Sequence, residues 1–192
     1  MTAPDGYVVN KNYVEITVDS DTAYEVDGVS GDVIIEVSYE DQPVKGNLIV
    51  YKKGEMLFGF ENDFIYKEQY LSGAEFEVRA AEDICTPDHQ KDADGNRIVL
   101  YAKDTLVTTI TTGESGKAVA KDLPLGRYYV VETKAPEGFV LNPEPVKVAL
   151  TYQDQETPIV EAEAIVGNDR QKVAISVEKQ DAENGRVLSG AV

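Results

Sequence analysis

Apolar and polar residues alternate with a period of two along most of this chain. Tyr13–Val18, Asp32–Ser38, Asn47–Lys52, Ala74–Arg79, Arg97–Ala102, Thr105–Thr111, Arg127–Thr133, Val146–Tyr152, Val160–Val166 and Val173–Lys179 read as strands rich in Val, Ile, Thr and Tyr. Those residues suit a pleated, half-buried surface. Gly113–Gly116, Pro124-Leu125-Gly126 and Ala135-Pro136-Glu137-Gly138 punctuate the pattern, because Pro fixes φ and Gly admits φ > 0. One segment, Glu82–Asp88, suggests a helical turn. Short strands with turns between them predict an all-β fold, an antiparallel β-sandwich.

Two motifs recur. Thr2-Ala3-Pro4-Asp5-Gly6-Tyr7-Val8-Val9-Asn10 returns as Lys134-Ala135-Pro136-Glu137-Gly138-Phe139-Val140-Leu141-Asn142, and Leu71-Ser72-Gly73-Ala74 returns as Leu188-Ser189-Gly190-Ala191. The order tail, head, tail, head divides the chain into three. Residues 1–44 read as the C-terminal part of a preceding unit, 45–171 as a complete unit, and 172–192 as the first strand of a following one. The chain thus reads as a slice of a longer tandem array.

Composition narrows the function classes. With 35 acidic and 18 basic residues the net charge is −17, which argues against nucleic-acid backbones and anionic membrane surfaces as partners. No apolar run approaches the roughly 20 residues of a membrane-spanning helix. The N-terminal residues carry no basic or apolar signal segment. One Cys (Cys85) permits no internal disulfide, and one His (His89) permits no multi-histidine metal site or His-centred triad. Neither a phosphate-binding glycine loop nor a metalloprotease or CxxC motif occurs. No cofactor or metal is expected, and turnover chemistry has little to stand on.

Side-chain parity singles out three polar residues. On the first strand of the central unit Leu48, Val50 and Lys52 share a face; on Arg127–Thr133 the set is Tyr128, Val130 and Glu132; on the last strand it is Ala162, Ala164, Val166 and Asn168. Each polar residue extends an apolar, core-facing row. Asp169 is a rival to Asn168, but parity turns it to the opposite face.

The central unit resembles the Cna-B (collagen-adhesin B-type, SpaA-like, prealbumin-like) repeats of Gram-positive surface proteins and pilins. The resemblance is carried by Leu48-Ile49-Val50-Tyr51-Lys52, Leu71-Ser72-Gly73-Ala74-Glu75-Phe76-Glu77-Val78, Leu123–Glu132, Ala135–Phe139 and Asn168. It implies a spontaneous intramolecular isopeptide bond, with Lys52 as amine, Asn168 as acceptor and Glu132 as catalytic acid. An apolar site favours the neutral amine that must attack. The equivalent positions of the incomplete flanking units are Asp41, 11 residues before Lys52, and Lys179, 11 after Asn168. The spacing departs from the repeat at one place. Lys52 precedes Leu71 by 19 residues, whereas Lys179 precedes Leu188 by 9. An insertion, Met56–Tyr70, therefore follows the lysine strand, and its aromatic residues are expected to pack over the sandwich edge.

The expected function is structural. The chain reads as a stalk segment of a cell-wall-attached or secreted Gram-positive adhesin or pilin-like protein, extracellular, with adjacent repeats of its own chain as partners. The alternative is an adhesive module that binds a host protein or glycan through residues 56–70 or the loops; the absence of Trp weakens a glycan ligand. Asp92-Ala93-Asp94-Gly95-Asn96 reads as a hairpin turn, since a calcium loop would not have its Gly at the fourth position and needs a Glu at the twelfth, where none follows. Cys85 and His89 read as ordinary packing and loop residues.

Overall fold

The computed structural model describes residues 2–19, 25–26, 28–30, 33–35 and 37–190. Fourteen strands and no helix are found among them: β1 (Tyr7–Val8), β2 (Glu25–Val26), β3 (Val33–Ile34), β4 (Gln42–Pro43), β5 (Lys45–Phe60), β6 (Phe64–Tyr70), β7 (Glu75–Ala80), β8 (Ile84–Cys85), β9 (Val99–Tyr101), β10 (Leu106–Thr111), β11 (Lys117–Pro124), β12 (Gly126–Lys134), β13 (Val146–Leu150) and β14 (Ile159–Asn168).

Two sheets make the sandwich. One has the order β10-β7-β12-β13; the other has β11-β5-β14, with β6 added to the distal half of β5. The inward rows are the ones alternation selects. Phe76, Val78 and Ala80 of β7 meet Leu48 and Val50 of β5, Tyr128 and Val130 of β12, and Ala164 and Val166 of β14 in one buried cluster. Burying a Val, Leu or Phe side chain stabilises by about 1.5–3 kcal/mol, so these rows fix the register. The wholly buried Tyr128 donates its hydroxyl to the Pro124 carbonyl at 2.6 Å, which satisfies the polar end of an otherwise apolar contact.

Among the described residues the strand ladders are antiparallel except one. β14 lies parallel to β5, pairing Ile159 with Lys45 and Val166 with Lys52. Parallel neighbours need a long crossover, and here the whole unit between them supplies it. Both strands consequently run toward the same end of the sandwich.

Several expectations are corrected. The segment 82–88 holds no helical turn: Ile84 and Cys85 pair with Tyr101 and Val99, and His89 closes a turn by donating its N–H to the Thr86 carbonyl. Residues 13–18 and 173–179 form no strand; Tyr13 is 89% exposed and Val173 86%. Alternation selects a face but a strand also needs a neighbouring ladder to stabilise it. In the predicted strand 32–38, Asp32 and Glu36 lie outside the described residues, and Val33–Ile34 pairs with Glu25–Val26. Strand β11 went unpredicted. Residues 92–96 do turn, with the Asp92 carboxylate accepting the N–H groups of Asp94 and Asn96.

The insertion does not fold back over the sandwich edge. β5 and β6 continue past Lys53 as a two-stranded hairpin, leaving Phe58, Phe60 and Phe64 about two-thirds exposed (65%, 65% and 59%). Two strands suffice to satisfy their own ladder but provide no second layer for their side chains. In the trailing segment Gln180 bridges Val187 across a short turn, at the positions where Lys53 pairs with Tyr70.

The tail motif adopts the same geometry at both places. Tyr7 N–H donates to the Pro4 carbonyl and Phe139 N–H to Pro136, each at 3.1 Å; Val44 N–H donates to Gly6 and Gln171 N–H to Gly138, each at 2.8 Å. The Asn10 side chain donates to the Glu40 carbonyl at 3.0 Å, as Asn142 does to Gly167 at 3.1 Å.

Candidate crosslinking site

Lys52, Glu132 and Asn168 meet inside the sandwich. Lys52 and Asn168 stand on adjacent parallel strands: Lys52 pairs with Val166, and Asn168 pairs with Gly54 two residues further on. Glu132 reaches them from β12 in the facing sheet, where it lies opposite Phe76. The three are 0%, 3% and 8% exposed, an exceptional placement for a Lys and a Glu. The period-two pattern puts them there, since each continues a row of buried apolar residues.

Their hydrogen bonds form a closed set. The Lys52 amine donates to Asn168 Oδ1 and lies 3.1 Å from Glu132 Oε1. The Asn168 amide nitrogen donates to both Glu132 oxygens, at 3.0 and 2.8 Å. Glu132 Oε2 also accepts the backbone N–H of Asn142 at 2.8 Å. The carboxyl group thus touches the amine and the amide nitrogen at once. Burial pushes the Lys52 amine below its ordinary pKa, against the opposing pull of the Glu132 hydrogen bond and charge.

Backbone contacts hold the amine strand. Lys52 N–H donates to the Gly116 carbonyl at 2.8 Å, and the Lys52 carbonyl accepts the Leu71 N–H at 2.9 Å. Phe139 and Leu71 close over Gly54 so tightly that a Cβ there would stand 2.8 Å from Leu71 Cδ1 and overlap the Phe139 ring. Thr112, itself buried, links the LSGA turn: its hydroxyl donates to the Leu71 carbonyl and accepts the Ala74 N–H. Outside this roof an open cleft of about 580 Å³ is lined by Lys53, Asn142, Gly167 and Asn168 among others.

The other candidate residues lie elsewhere. Asp169 is exposed on the outer side of the strand, as parity requires. Asp41 sits beside the first tail motif and accepts the Asn10 N–H at 2.9 Å; Lys179 is exposed in the trailing segment. Cys85 is a half-buried free thiol, and His89 is exposed in a loop with φ 55°. Asn142 was not singled out from the sequence. The recurrence of Asn at the end of both tail motifs is the signal that marks it.

Residues 65–164, more than half of the chain, match the family described as SpaA: Prealbumin-like fold domain. The chain therefore belongs to the SpaA prealbumin-like fold domain family, in agreement with the resemblance carried by its Leu71–Val78 and Leu123–Glu132 segments. No curated protein matches it. Among solved structures it is similar to the group B streptococcus pilus 2b backbone protein, at 23% identity and TM-score 0.39 over 72% of this chain and 47% of that one. It is similar to the Bacillus anthracis TIE protein at 24% identity and TM-score 0.46, over 88% of this chain and 24% of that one. The Corynebacterium diphtheriae major pilin SpaA matches at 19% identity and TM-score 0.39, over 66% of this chain and 31% of that one. The chain thus spans less than half the length of these proteins.

Proposed function

We propose that this chain is a structural stalk module of a Gram-positive cell-surface pilin or adhesin, locked by an autocatalytic amide bond between Lys52 and Asn168. The observation that carries this reading is the burial of an amine, a carboxyl and a primary amide in mutual contact. A buried ion pair alone is a poor source of stability. A residue set that reacts needs no such justification.

The reaction follows from the contacts. Neutral Lys52 Nζ attacks the Asn168 side-chain carbon, the new C–N bond forms as the bond to Nδ2 breaks, and ammonia leaves. One proton must pass from Nζ to the departing nitrogen. Glu132 touches both atoms and relays it as general base and then acid. Held reactants gain the equivalent of a very high local concentration. Each molecule reacts once, so the product is a modified protein and no external substrate turns over.

The topology gives the bond its use. β5 enters and β14 leaves the unit as parallel neighbours, so pulling on the two ends shears their ladder. With a bond from Lys52 to Asn168 the load crosses the sheet covalently, and the 116-residue separation is removed from the force path. By analogy with a disulfide closing a loop of similar length, the crosslink contributes about 4–5 kcal/mol to stability. In this reading residues 1–44 and 172–192 belong to neighbouring units, a division supported by the recurring bonds of the two tail motifs.

The test is the intact mass of the purified chain beside Lys52→Ala and Glu132→Ala variants. A mass one ammonia below the sequence value, restored in both variants, is expected. An unmodified wild-type mass overturns the crosslink. A loss of one water would move the acceptor to an Asp.

A second reading concerns the β5–β6 hairpin, whose exposed Phe58, Phe60 and Phe64 form an unusual apolar projection. Under it the module also adheres to a host protein, and deleting the hairpin abolishes attachment while the crosslink still forms.

A further inference from the structure

The two copies of the tail motif share a backbone but not an environment. Gly6 and Gly138 both take left-handed conformations, φ 89° and 83°, and sit in the same hydrogen-bonded turn. Gly6 is buried, and a Cβ on it would overlap Pro87 of the central unit; a Cβ on Gly138 would meet nothing within 4 Å. Around Gly6 the first tail loop is fastened to two loops of the central unit. Val9 N–H donates to the Gln155 carbonyl at 2.9 Å, and Ala3 N–H donates to the Gln155 side chain at 2.9 Å. The Tyr7 ring stands close to Asp88, and Lys11 pairs with Glu156 at the rim. Val8 and Val9 are half-buried by this contact. Their counterparts Val140 and Leu141 are 50% and 44% exposed.

We propose that the exposed loop Gly138–Leu141 is a docking surface for the body of the following unit of the same fold. That body would cover it with the counterparts of Pro87–Asp88 and Gln155–Glu156, as the central unit covers Gly6–Val9. The glycine in the tail motif then has two purposes. It adopts the positive φ of the turn, and it lets the backbone approach the next unit without a side chain between them. Apolar Val140 and Leu141 are left at the surface because their partner is the next unit, and the array is a chain of fixed joints instead of beads on free linkers. This inference rests on the tandem-unit reading given above.

The matched glycines provide the experiment. Alanine at either position meets the same disfavoured positive φ, but only at position 6 does it also clash. In the existing chain Gly6→Ala is expected to speed amide exchange of Val9 about tenfold, while Gly138→Ala leaves Leu141 unchanged. The whole chain is then lengthened by letting a second copy of residues 45–171 follow residue 171. Exchange at Leu141 is expected to slow about tenfold, and Gly138→Ala to reverse it. A folded second copy with Leu141 exchanging as before overturns the docking surface and spares the tandem reading. A second copy without its own cooperative unfolding transition overturns the tandem reading and the joint with it.

Discussion

The backbone N–H of Asn142 donates to Glu132 Oε2 at 2.8 Å, which ties the end of the tail motif to the carboxyl group of the proposed crosslinking site. The Asn142 side chain anchors the same residue to the Gly167 carbonyl, next to Asn168. The tail loop therefore holds Glu132 and the end of the strand that carries Asn168 together. In the first tail motif the Asn10 N–H donates instead to the carboxylate of Asp41, which stands at the position of Asn168 in the repeat and not at that of Glu132.

Separating the two Asn142 contacts yields the first prediction. Asn142→Ala removes the side-chain anchor and keeps the N–H; Asn142→Pro removes both. Ammonia loss during refolding is expected to slow by less than about threefold in the alanine variant and by tenfold or more in the proline variant, in line with about 1.5–3 kcal/mol for a hydrogen bond to a charged group. Combining each with Lys52→Ala gives a pair that cannot crosslink, and their melting temperatures report the structural cost alone. A rate loss no larger than that cost predicts would make Asn142 merely a packing residue.

That Lys52, Glu132 and Asn168 would meet was legible while the contact of Asn142 was not, and the difference lies in which atoms make the contact. The first three meet through side chains on strands, and a period of two says where a strand side chain points. Asn142 works through its main-chain N–H, which nearly every residue type possesses. Strand β11 escaped for a different reason: of its inward residues Ala118, Ala120 and Leu123 the two alanines are small, and a register shift between Ala120 and Leu123 breaks the alternation. The converse error appears at residues 173–179, where Val173, Ile175 and Val177 alternate well yet are 86%, 86% and 87% exposed. The parallel β5–β14 ladder carries no sequence signature, because direction is set by the crossover and not by either strand.

Burial of the Lys52 amine makes stability depend on pH. Its pKa is depressed below the ordinary 10.5 in the folded state, so the folded chain releases that proton at a lower pH than the unfolded chain. Between the two values the unfolded state binds more protons, and stability rises with pH. An Asn168→Ala variant, in which Lys52 stays a free amine, is expected to gain on an Asn168→Ala/Lys52→Met variant as pH climbs toward 10.5. Denaturant titrations across that range would show parallel curves if the amine were not perturbed. The same shift predicts that crosslinking of unreacted wild-type chain, as it folds for the first time, accelerates with pH until the amine is fully neutral.

Gly54 tests the roof of the site. A Cβ there would press on Leu71 Cδ1 and the Phe139 ring, both buried, and Gly54 is the residue opposite Asn168 in the ladder. Overpacking of this kind typically costs about 1–3 kcal/mol. Gly54→Ala is expected to lower the melting temperature of the Lys52→Ala chain and to slow ammonia loss in the otherwise wild-type chain. Crosslinking at the wild-type rate would show that the roof yields freely.

The hairpin is expected to be dispensable for the crosslink. In the trailing segment the turn between Gln180 and Val187 is closed by the Asp181 N–H donating to the Arg186 carbonyl at 2.8 Å, a compact alternative for the positions that Lys53 and Tyr70 occupy in the central unit. Replacing residues 55–69 by the sequence Ala182–Arg186 keeps Gly54 beneath Phe139 and restores the shorter spacing. The substituted residues lie beyond the buried rows of β5, and those that carry the exposed aromatics contribute no area to the core. Intact mass should therefore still fall by one ammonia, at a rate within a few-fold of wild type. The loss falls on Arg170, whose guanidinium packs on Tyr66 at 3.7 Å and approaches Glu55 at 3.5 Å. A half-exposed pair of contacts is worth about 1 kcal/mol, so a small drop in stability near the C-terminal end of β14 is expected. Failure of the shortened chain to crosslink would place the hairpin inside the machinery of the site, and would remove the ground for treating it as a surface added to a self-sufficient module.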